Sequence, residues 1–254
     1  MKIKQGIGCY ISPSAIIMDG ADIELGDHVY IGENVRIMPG ILKIGDYSKI
    51  HNNVFINPQK HVILGHLTWI GQNSILDGTG GLTAGNYLGV GMGSCLYSHI
   101  RHGDLMQGCR FERNTELIIE DDVWFVGQCM VSPIFAASKS MAMLGSVITK
   151  NMIYNNVYGG NPAKNITDKV GYAYEYDEGN AAKLAKFLSY VEEYKTETKN
   201  DVAILAVESY PDTMCDDVTY YNISKRTYTK RNTESEIKFN KWLFKYKAKF
   251  IPAT

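Results

Sequence analysis

The chain has 254 residues, of which 45% are hydrophobic and 21% charged, and its formal net charge is −1. This composition is too apolar for a disordered protein, too polar for a membrane bundle and too neutral for a general nucleic-acid binder. It holds no apolar run of about eighteen residues and no apolar stretch behind its first lysines, so we expect neither a transmembrane helix nor a secretory signal.

Glycine and histidine are concentrated in the first two thirds of the chain. Of the 24 glycines, 22 precede residue 171, as do all six histidines. We therefore predict two domains, residues 1–170 and residues 171–254. The five cysteines are odd in number and scattered, which predicts reduced thiols in a cytoplasmic protein rather than disulfides or a zinc site.

The first domain carries aliphatic residues at a spacing of six. The series with this spacing are Leu25, Ile31 and Ile37; Ile44, Ile50 and Ile56; Leu64, Ile70, Leu76, Leu82 and Leu88; Val90 and Leu96; and Ile119, Phe125 and Val131. Neither an amphipathic helix nor a flat strand has this period. It suits short strands separated by sharp bends, three of which close a triangular coil of about eighteen residues. We predict a mainly β domain, a parallel β-helix with inward aliphatic ladders.

The repeat is interrupted between Ile37 and Ile44, between Ile56 and Leu64, and most extensively between Leu96 and Ile119. An insertion into a stacked coil must leave the wall as a loop. The largest predicted loop therefore spans about residues 97–117, and loops on rigid scaffolds often carry function.

Segments late in the first domain carry a family resemblance. Residues 119–127 read Ile-Glu-Asp-Asp-Val-Trp-Phe-Val-Gly, residues 145–150 read Gly-Ser-Val-Ile-Thr-Lys, and residues 159–164 read Gly-Gly-Asn-Pro-Ala-Lys. These segments resemble the closing coils of the hexapeptide-repeat acyltransferases, above all the sugar and polysaccharide O-acetyltransferase branch. Glu120 and Val126 depart from glycines of that family, and residues 136–139 from its regular hexad.

The resemblance covers roughly residues 10–168 and implies a left-handed β-helix that uses acetyl-CoA as co-substrate. It also implies a homotrimer with sites between subunits. The expected reaction moves an acetyl group to a hydroxyl of a sugar, nucleotide-sugar or glycan, for example in surface-polysaccharide synthesis.

Two histidines and an aspartate open the long loop: His99, His102 and Asp104. Transfer from a thioester to a hydroxyl needs a base that titrates near neutrality, and imidazole suits that task. The resemblance implies a catalytic histidine directly after the coil before this loop, so we predict His99 and, as second choice, His102. Asp104 either orients an imidazole or caps the loop. Arg101 and Arg110 either hold an anionic acceptor or, in the favoured interpretation, are solvated charges.

The closing coils line up with the family's cofactor groove. The predicted cofactor-binding residues are Gly145, Ser146, Thr149, Lys150 and Lys164. Lys164 could meet a phosphate as a point charge or be a solvated turn lysine. For Trp124 we favour wall packing.

Two alternatives to an acyltransferase remain open. His61 and His66 resemble the zinc spacing of the γ-class carbonic anhydrases, with His51 as a third nitrogen ligand. We favour the simpler interpretation that His61 lies in a loop and His66 at a bend, and we expect no metal. The second alternative is a non-catalytic assembly scaffold.

The second domain has a different pattern, which predicts a small α/β appendage. Helical spacing covers residues 180–197, apolar runs at 202–207 and 218–223 predict strands, and Thr233 to Glu236 matches a capping box. The helix behind that box is expected to place the following residues on one face: Phe239, Trp242, Leu243, Tyr246 and Phe250.

Charge is divided unevenly within this appendage. Residues 171–218 have 4 Lys against 11 Asp and Glu, whereas residues 219–254 have 9 Lys and Arg against 2 Glu. The two halves could attract each other. A weaker alternative is that the basic end, with Lys225, Arg226, Lys230 and Arg231, contacts a membrane surface or an anionic glycan. We favour a capping role for the appendage.

Overall fold

The structure is a computed structural model that describes residues 2–174, 179–199 and 202–253. The chain divides into two compact units, Met1–Glu175 and Tyr176–Thr254. The division falls later than the expected boundary after residue 170 because residues 171–174 stay with the last coil. The Asn155 side chain exchanges two hydrogen bonds of 2.9 Å with the backbone of Tyr174, and Ala173 N donates to Asn155 O at 3.2 Å.

The first unit consists of three parallel walls of short strands. In stacking order, the first wall contains Lys2–Gln5, Ala21–Leu25, Gly40–Ile44, Val62–Leu64, Leu82–Ala84, Leu117–Ile119 and Phe135–Ala136. The second wall contains Tyr10–Ile11, Tyr30–Ile31, Lys49–Ile50, Trp69–Ile70, Gly89–Val90, Trp124–Phe125, Met141–Ala142, Val157–Gly159 and the antiparallel Lys164–Asn165. The third wall contains Ile16–Ile17, Arg36–Ile37, Phe55–Asn57, Ile75–Asp77, Cys95–Leu96, Met130–Val131 and Val147–Ile148.

This arrangement is the predicted left-handed parallel β-helix. Each coil contributes one strand to each wall, and the aliphatic residues of the repeat form the buried ladders of a single core. The residues Ala136 and Glu120, which depart from the family pattern, fit the wall without disrupting it. Ala136 is buried in the ladder, and the Glu120 carboxylate accepts hydrogen bonds of 2.8 Å from Ser138 N and Oγ in the next coil.

The early coils are longer than the predicted eighteen residues, whereas the last two are shorter, since Trp124 pairs with Met141 and Met141 with Val157, 17 and 16 residues on. Along the second wall, Tyr10 pairs with Tyr30 and Tyr30 with Lys49, so one coil takes 20 residues and the next 19. The extra length of the early coils lies in the first wall, where a strand such as Val62–Leu64 buries two side chains, Val62 and Leu64. For this reason Leu64 pairs with Ala84, and not with a residue at a multiple of six.

Left-handed backbone conformations recur in the turns that connect one wall to the next. Asn34, Asn53 and Asn73 have φ values of 55°, 60° and 58° and occupy successive coils. Asparagine tolerates this region better than most residues, because its side chain can hydrogen-bond locally. These positions explain why the repeat places asparagine within the turns at this corner of the coil.

Adjacent residues of one strand are expected to contribute very differently to stability. Phe125 is fully buried in the core, whereas Trp124 points outward and is 49% exposed. Replacing Phe125 with alanine is expected to lower the free energy of unfolding by about 3–5 kcal/mol, since it leaves a cavity in a packed ladder. The matched Trp124→Ala change is expected to cost less than about 1 kcal/mol. Denaturant unfolding measures both, and equal losses would contradict the inward assignment of Phe125.

The long insertion forms an antiparallel hairpin, and a short helix follows the last coil. Strands His99–Arg101 and Glu112–Asn114 pair with each other and with no other described strand. The tip between them is mostly exposed. Helix Thr167–Val170 is tied to the second wall because Thr167 Oγ1 accepts a hydrogen bond of 2.9 Å from Val157 N.

The second unit is a small α/β layer, as predicted. Helix Gly179–Thr198 and helix Glu234–Leu243, followed by the 3₁₀ turn Phe244–Tyr246, accompany one sheet. The strands of that sheet, in order, are Ile204–Val207, Thr219–Asn222, Thr227–Tyr228 and Ile251–Pro252. The last two strands were not predicted, because each has only two residues. Among the described residues, no helix is both long and apolar enough to cross a bilayer.

The predicted cap of the second helix is present in altered form. Thr233 Oγ1 accepts from Glu236 N at 3.3 Å, but the buried Glu236 carboxylate accepts from Arg231 N and Asn232 N rather than from Thr233 N. It also accepts from the Thr219 hydroxyl at 2.9 Å. The cap therefore joins this helix to the sheet as well as starting it.

The acidic and basic halves of the unit contact each other. Lys245 Nζ lies 3.0 Å from Glu193 and 2.8 Å from Glu197, and the Trp242 indole donates to Glu197 at 2.8 Å. Of the predicted helix face, Phe239 and Leu243 are buried, and Trp242 and Phe250 pack against their cluster. Part of the opposite charge in the two halves of this unit is therefore paired within the unit itself.

Candidate active site

His99 lies where the third wall gives way to the hairpin. The strand Cys95–Leu96 ends, Ser98 is fully buried, and His99 begins the first hairpin strand with its side chain 36% exposed. Its Nδ1 atom lies 2.7 Å from Oδ2 of Asp77, which ends the third-wall strand of the preceding coil. Stacking of successive coils thus brings together two residues that are 22 positions apart in the chain.

The Asp77 carboxylate is buried and saturated with donors. Oδ2 also accepts from Ser98 N and Ser98 Oγ, both at 3.1 Å, while Oδ1 accepts from Thr79 Oγ1 at 2.6 Å and from Asn57 Nδ2 at 3.3 Å. Burial alone raises the pKa of Asp77, but hydrogen bonds from Thr79, His99 and Ser98 outweigh it, so the net pKa lies below the ordinary value. The carboxylate is therefore charged at neutral pH.

This pair can prepare an imidazole to act as a base. An ionised carboxylate only accepts hydrogen bonds, so we assign the ring proton of neutral His99 to Nδ1 and the lone pair to Nε2. In the described part of the chain no hydrogen bond involves Nε2. A base held by a carboxylate at one nitrogen and open at the other is the geometry that proton abstraction from a hydroxyl requires.

Asp104 and His102 lie away from this pair, in the exposed part of the hairpin. Asp104 Oδ1 accepts from Met106 N at 2.8 Å and Gln107 N at 3.3 Å, so Asp104 caps the turn at the tip. The carboxylate beside the imidazole is Asp77, and this corrects the inclusion of Asp104 among the candidate catalytic residues. His102 is exposed, and its side chain makes no hydrogen bond or ion pair among the described residues.

A glycine-rich corner supports the base of the hairpin. Gly80 N donates to Ser98 Oγ at 2.8 Å, and Ser98 O accepts from Thr115 N at 3.2 Å, so both ends of the hairpin meet at Gly80. A Cβ atom on Gly80 would overlap Ser98 O and lie 2.9 Å from Thr115 O. Only glycine fits this approach, which holds the strand that carries His99.

The predicted cofactor residues lie at the closing end of the stack. Gly145, Thr149, Lys150 and Lys164 are exposed. Ser146 is fully buried, and its hydroxyl donates to Met143 O at 2.6 Å. We therefore correct the assignment of the Ser146 side chain, which is part of the wall and closed to a ligand.

Gly145 and Thr149 flank Val147–Ile148, which lies in the same third wall as the strand that leads to His99, whereas Lys164 begins the last strand of the second wall. Val147 N donates to Gly160 O at 3.0 Å and Val147 O accepts from Ala163 N at 2.9 Å, so the segment before Lys164 runs beside the strand that precedes Thr149. Only Met130–Val131 separates this strand from Cys95–Leu96. Two strand spacings amount to about 10 Å within one chain.

The three histidines considered as metal ligands are engaged separately. His61 Nε2 contacts Glu116 Oε1 at 3.0 Å, His66 Nδ1 accepts from Asp46 N at 2.9 Å, and His51 packs on Trp69. No group of three metal-ligating side chains occurs among residues 2–174, 179–199 and 202–253. The zinc alternative therefore has no support in the geometry.

The remaining candidate residues, Arg101, Arg110 and Trp124, lie on the surface of the hairpin or of the second wall. Arg101 Nε pairs with Glu112 Oε1 across the hairpin at 3.0 Å, with both groups exposed, and Arg110 is exposed. The half-exposed Trp124 covers Gly89 on the outer face of the second wall. This position makes it an outward wall residue.

Comparisons with known proteins reveal the fold only through solved structures. No family model matches the chain, and no curated protein matches its sequence. A variant of AntD, an N-acyltransferase from Bacillus cereus in complex with dTDP and coenzyme A, is similar with a TM-score of 0.51. Its identity is 15%, over 73% of this chain and 90% of that chain.

Two further solved structures are similar at lower TM-scores. A hexapeptide-repeat acetyltransferase from Vibrio cholerae complexed with acetyl coenzyme A has a TM-score of 0.39 at 17% identity, over 58% of this chain and 69% of that chain. The polysialic acid O-acetyltransferase OatWY has a TM-score of 0.35 at 18% identity, over 71% of this chain and 94% of that chain. The AntD likeness establishes a shared left-handed β-helix, and the two weaker likenesses carry no argument of their own.

Proposed function

We propose that this protein transfers an acetyl group from acetyl-CoA to a hydroxyl of a sugar, nucleotide-sugar or glycan. The observation that carries the proposal is His99, held through Nδ1 by the buried Asp77 carboxylate and open at Nε2. The AntD structure supports it, because that protein with the same fold is an N-acyltransferase solved with a nucleotide and coenzyme A.

In the proposed reaction His99 Nε2 takes the proton of the acceptor hydroxyl as its oxygen attacks the thioester carbonyl. A tetrahedral intermediate forms, and its collapse breaks the carbon–sulfur bond. The leaving thiolate takes the proton from Nε2, which returns His99 to its neutral state. Asp77 stabilises the imidazolium that exists between these two transfers.

The closing coils are proposed to hold the acyl carrier. Thr149, Lys150 and Lys164 are exposed polar residues at the closing end of the β-helix, and two lysines suit the phosphates of coenzyme A. We propose further that the protein is a homotrimer, in which a neighbouring subunit completes each site. A cytoplasmic location suits the five cysteines, all of which are free.

A thioester-consumption screen tests this function. The purified protein is incubated with acetyl-CoA and a panel of sugars, amino sugars and nucleotide-sugars, and release of free thiol is followed. We expect acceptor-dependent release with at least one hydroxyl acceptor, and mass spectrometry of the product locates the ester. Release only with amino sugars would move the reaction to N-transfer. Failure to bind coenzyme A by calorimetry would favour a non-catalytic scaffold.

A further inference from the structure

The second end of the hairpin carries a polar cluster that the proposed reaction does not use. Glu116 follows the strand Glu112–Asn114 and precedes the buried Leu117, where the chain re-enters the first wall. Its Oε1 atom lies 3.0 Å from His61 Nε2 and accepts a short hydrogen bond from the Thr83 hydroxyl. Thr83 Oγ1 and His61 Nε2 are 3.2 Å apart. The three side chains thus form one closed cluster.

This cluster joins the hairpin to strands of two different coils. His61 directly precedes the first-wall strand Val62–Leu64, and Thr83 lies in the stacked strand Leu82–Ala84. A Cβ atom on Gly81 would lie 2.8 Å from His61 Cε1 and 3.3 Å from Glu116 Cγ, so the cluster packs against the same corner that supports Ser98. Both ends of the hairpin are therefore anchored at Gly80 and Gly81, one through Asp77 and the other through Glu116.

Glu116 is charged in this setting. The hydrogen bond from Thr83, followed by that from His61, holds the pKa of the Glu116 carboxyl below its ordinary value. Burial raises this pKa by a smaller amount than either hydrogen bond lowers it, and the positive charge of Lys60 also lowers it. Lys60 Nζ itself donates to Gly80 O at 3.3 Å. Charged acceptors make stronger hydrogen bonds than neutral ones, so this end of the hairpin is firmly tied.

The position of His99 depends on both anchors. The strand His99–Arg101 pairs only with Glu112–Asn114 among the described strands, and His99 lies opposite Asn114, two residues before Glu116. Loss of the Glu116 side-chain contacts leaves this end tied by the backbone bonds of Thr115 N to Ser98 O and Leu117 N to Gly81 O, and we expect the two strands then to swing together about Ser98. A displacement of about 1 Å at a reacting group can cost roughly 100-fold in rate.

We propose that Glu116, His61 and Thr83 are positioning residues that set the angle of the hairpin and thereby hold the His99 imidazole against Asp77. They act through His99, and no contact with the reacting atoms is required of them. This inference rests on the proposed acyl transfer where it is tested by enzyme kinetics. A second test, by NMR of the His99 ring, does not depend on that function.

The kinetic test compares substitutions at two carboxylates that flank one strand. Glu116→Ala is expected to lower kcat roughly 10- to 100-fold while KM for acetyl-CoA stays within about twofold, because the acyl carrier is held elsewhere. Glu116→Gln retains an oxygen acceptor and is expected to recover most of the rate. Thr83→Val, which suits a strand, is expected to lower kcat less than Glu116→Ala. The control is Glu120→Ala, which removes a carboxylate bound to Ser138 beyond the hairpin and is expected to leave kcat unchanged.

The second measurement needs no turnover. In a protein labelled with ¹⁵N-histidine, the Nδ1 proton of His99 is assigned by its loss in His99→Gln, and its exchange with water is followed by NMR. We expect exchange at least tenfold faster in Glu116→Ala than in the wild type and in Glu120→Ala. Unchanged exchange in both Glu116→Ala and Thr83→Val overturns the proposal. The proposal is also overturned if Glu116→Gln has a kcat as low as that of Glu116→Ala while its His99 Nδ1 proton exchanges at the wild-type rate. Glu116 would then take part in the reaction itself instead of positioning His99. If even the wild type transfers no acetyl group, the function fails and the exchange rates still decide the positioning role.

Discussion

Replacing His99 with alanine is expected to lower kcat for acetyl transfer by about 10²–10⁴-fold, the usual contribution of a general base. Without the imidazole no described side chain reaches the hydroxyl proton, because the buried Asp77 carboxylate lies behind His99, on the Nδ1 side of its ring. KM for acetyl-CoA is expected to change little, since the carrier is proposed to bind along the closing coils. Steady-state kinetics with both substrates varied measure the two effects separately.

The matched control for this prediction is His102→Ala. His102 is exposed three residues further along the hairpin, so its loss is expected to change kcat less than about twofold. Thermal unfolding of His102→Ala should agree with the wild type, whereas His99→Ala is expected to unfold at a slightly lower temperature because the buried Asp77 carboxylate loses one hydrogen bond. If His99→Ala is active and His102→Ala is inactive, His102 is the base. If both variants are fully active, neither histidine is the base and the proposed mechanism is wrong.

Replacing Asp77 with asparagine is expected to reduce kcat by a similar factor, up to about 10⁴-fold. The asparagine amide would present an N–H group to His99 Nδ1 and so favour the tautomer with its proton on Nε2. That tautomer has no lone pair facing the acceptor hydroxyl. The amide N–H also meets the donor Ser98 N, so we expect some loss of thermal stability beside the loss of rate. The ¹⁵N chemical shifts of His99 report the tautomer directly.

The control for this second prediction is Asp104→Asn. Asp104 only caps the exposed turn at the hairpin tip, so this change is expected to leave kcat near the wild-type value. A circular dichroism spectrum of Asp77→Asn that matches the wild type would show that the coil is intact. An Asp77→Asn enzyme with normal turnover would mean that the carboxylate only anchors Ser98 and plays no part in setting the tautomer.

The coil architecture follows from the sequence because its physical cause is local. Each inward aliphatic residue, such as Ile31 or Ile50, is followed by a bend, and the spacing of these bends is visible in one dimension. The length of a coil is not visible in this way. Whether Leu64 stacks on Leu82 or on Ala84 depends on how many side chains the first wall buries, and this is decided by packing between strands.

The same limit explains which part of the site was missed. His99 stood out because it follows the last regular unit before the long insertion. Asp77 could be recognised as its partner only once the coil length was known, since a coil of 20 residues places Tyr97 beside Asp77 and a coil of eighteen does not. Glu116 and His61 are 55 residues apart, and their contact depends on the hairpin returning to its starting corner.

The return of the hairpin to its starting corner also bears on how acceptor preference can change. Ser98 and Thr115 are hydrogen-bonded to each other, so the excursion between them begins and ends at one point of the wall. The entropy of closing such a loop grows only slowly with its length, and the strands before and after it stay in register with Gly89 paired to Trp124. The segment between Arg101 and Glu112 is therefore a replaceable module. We expect its exchange to leave the β-helix and the His99–Asp77 pair intact, which makes this segment the place to test for a change in acceptor preference.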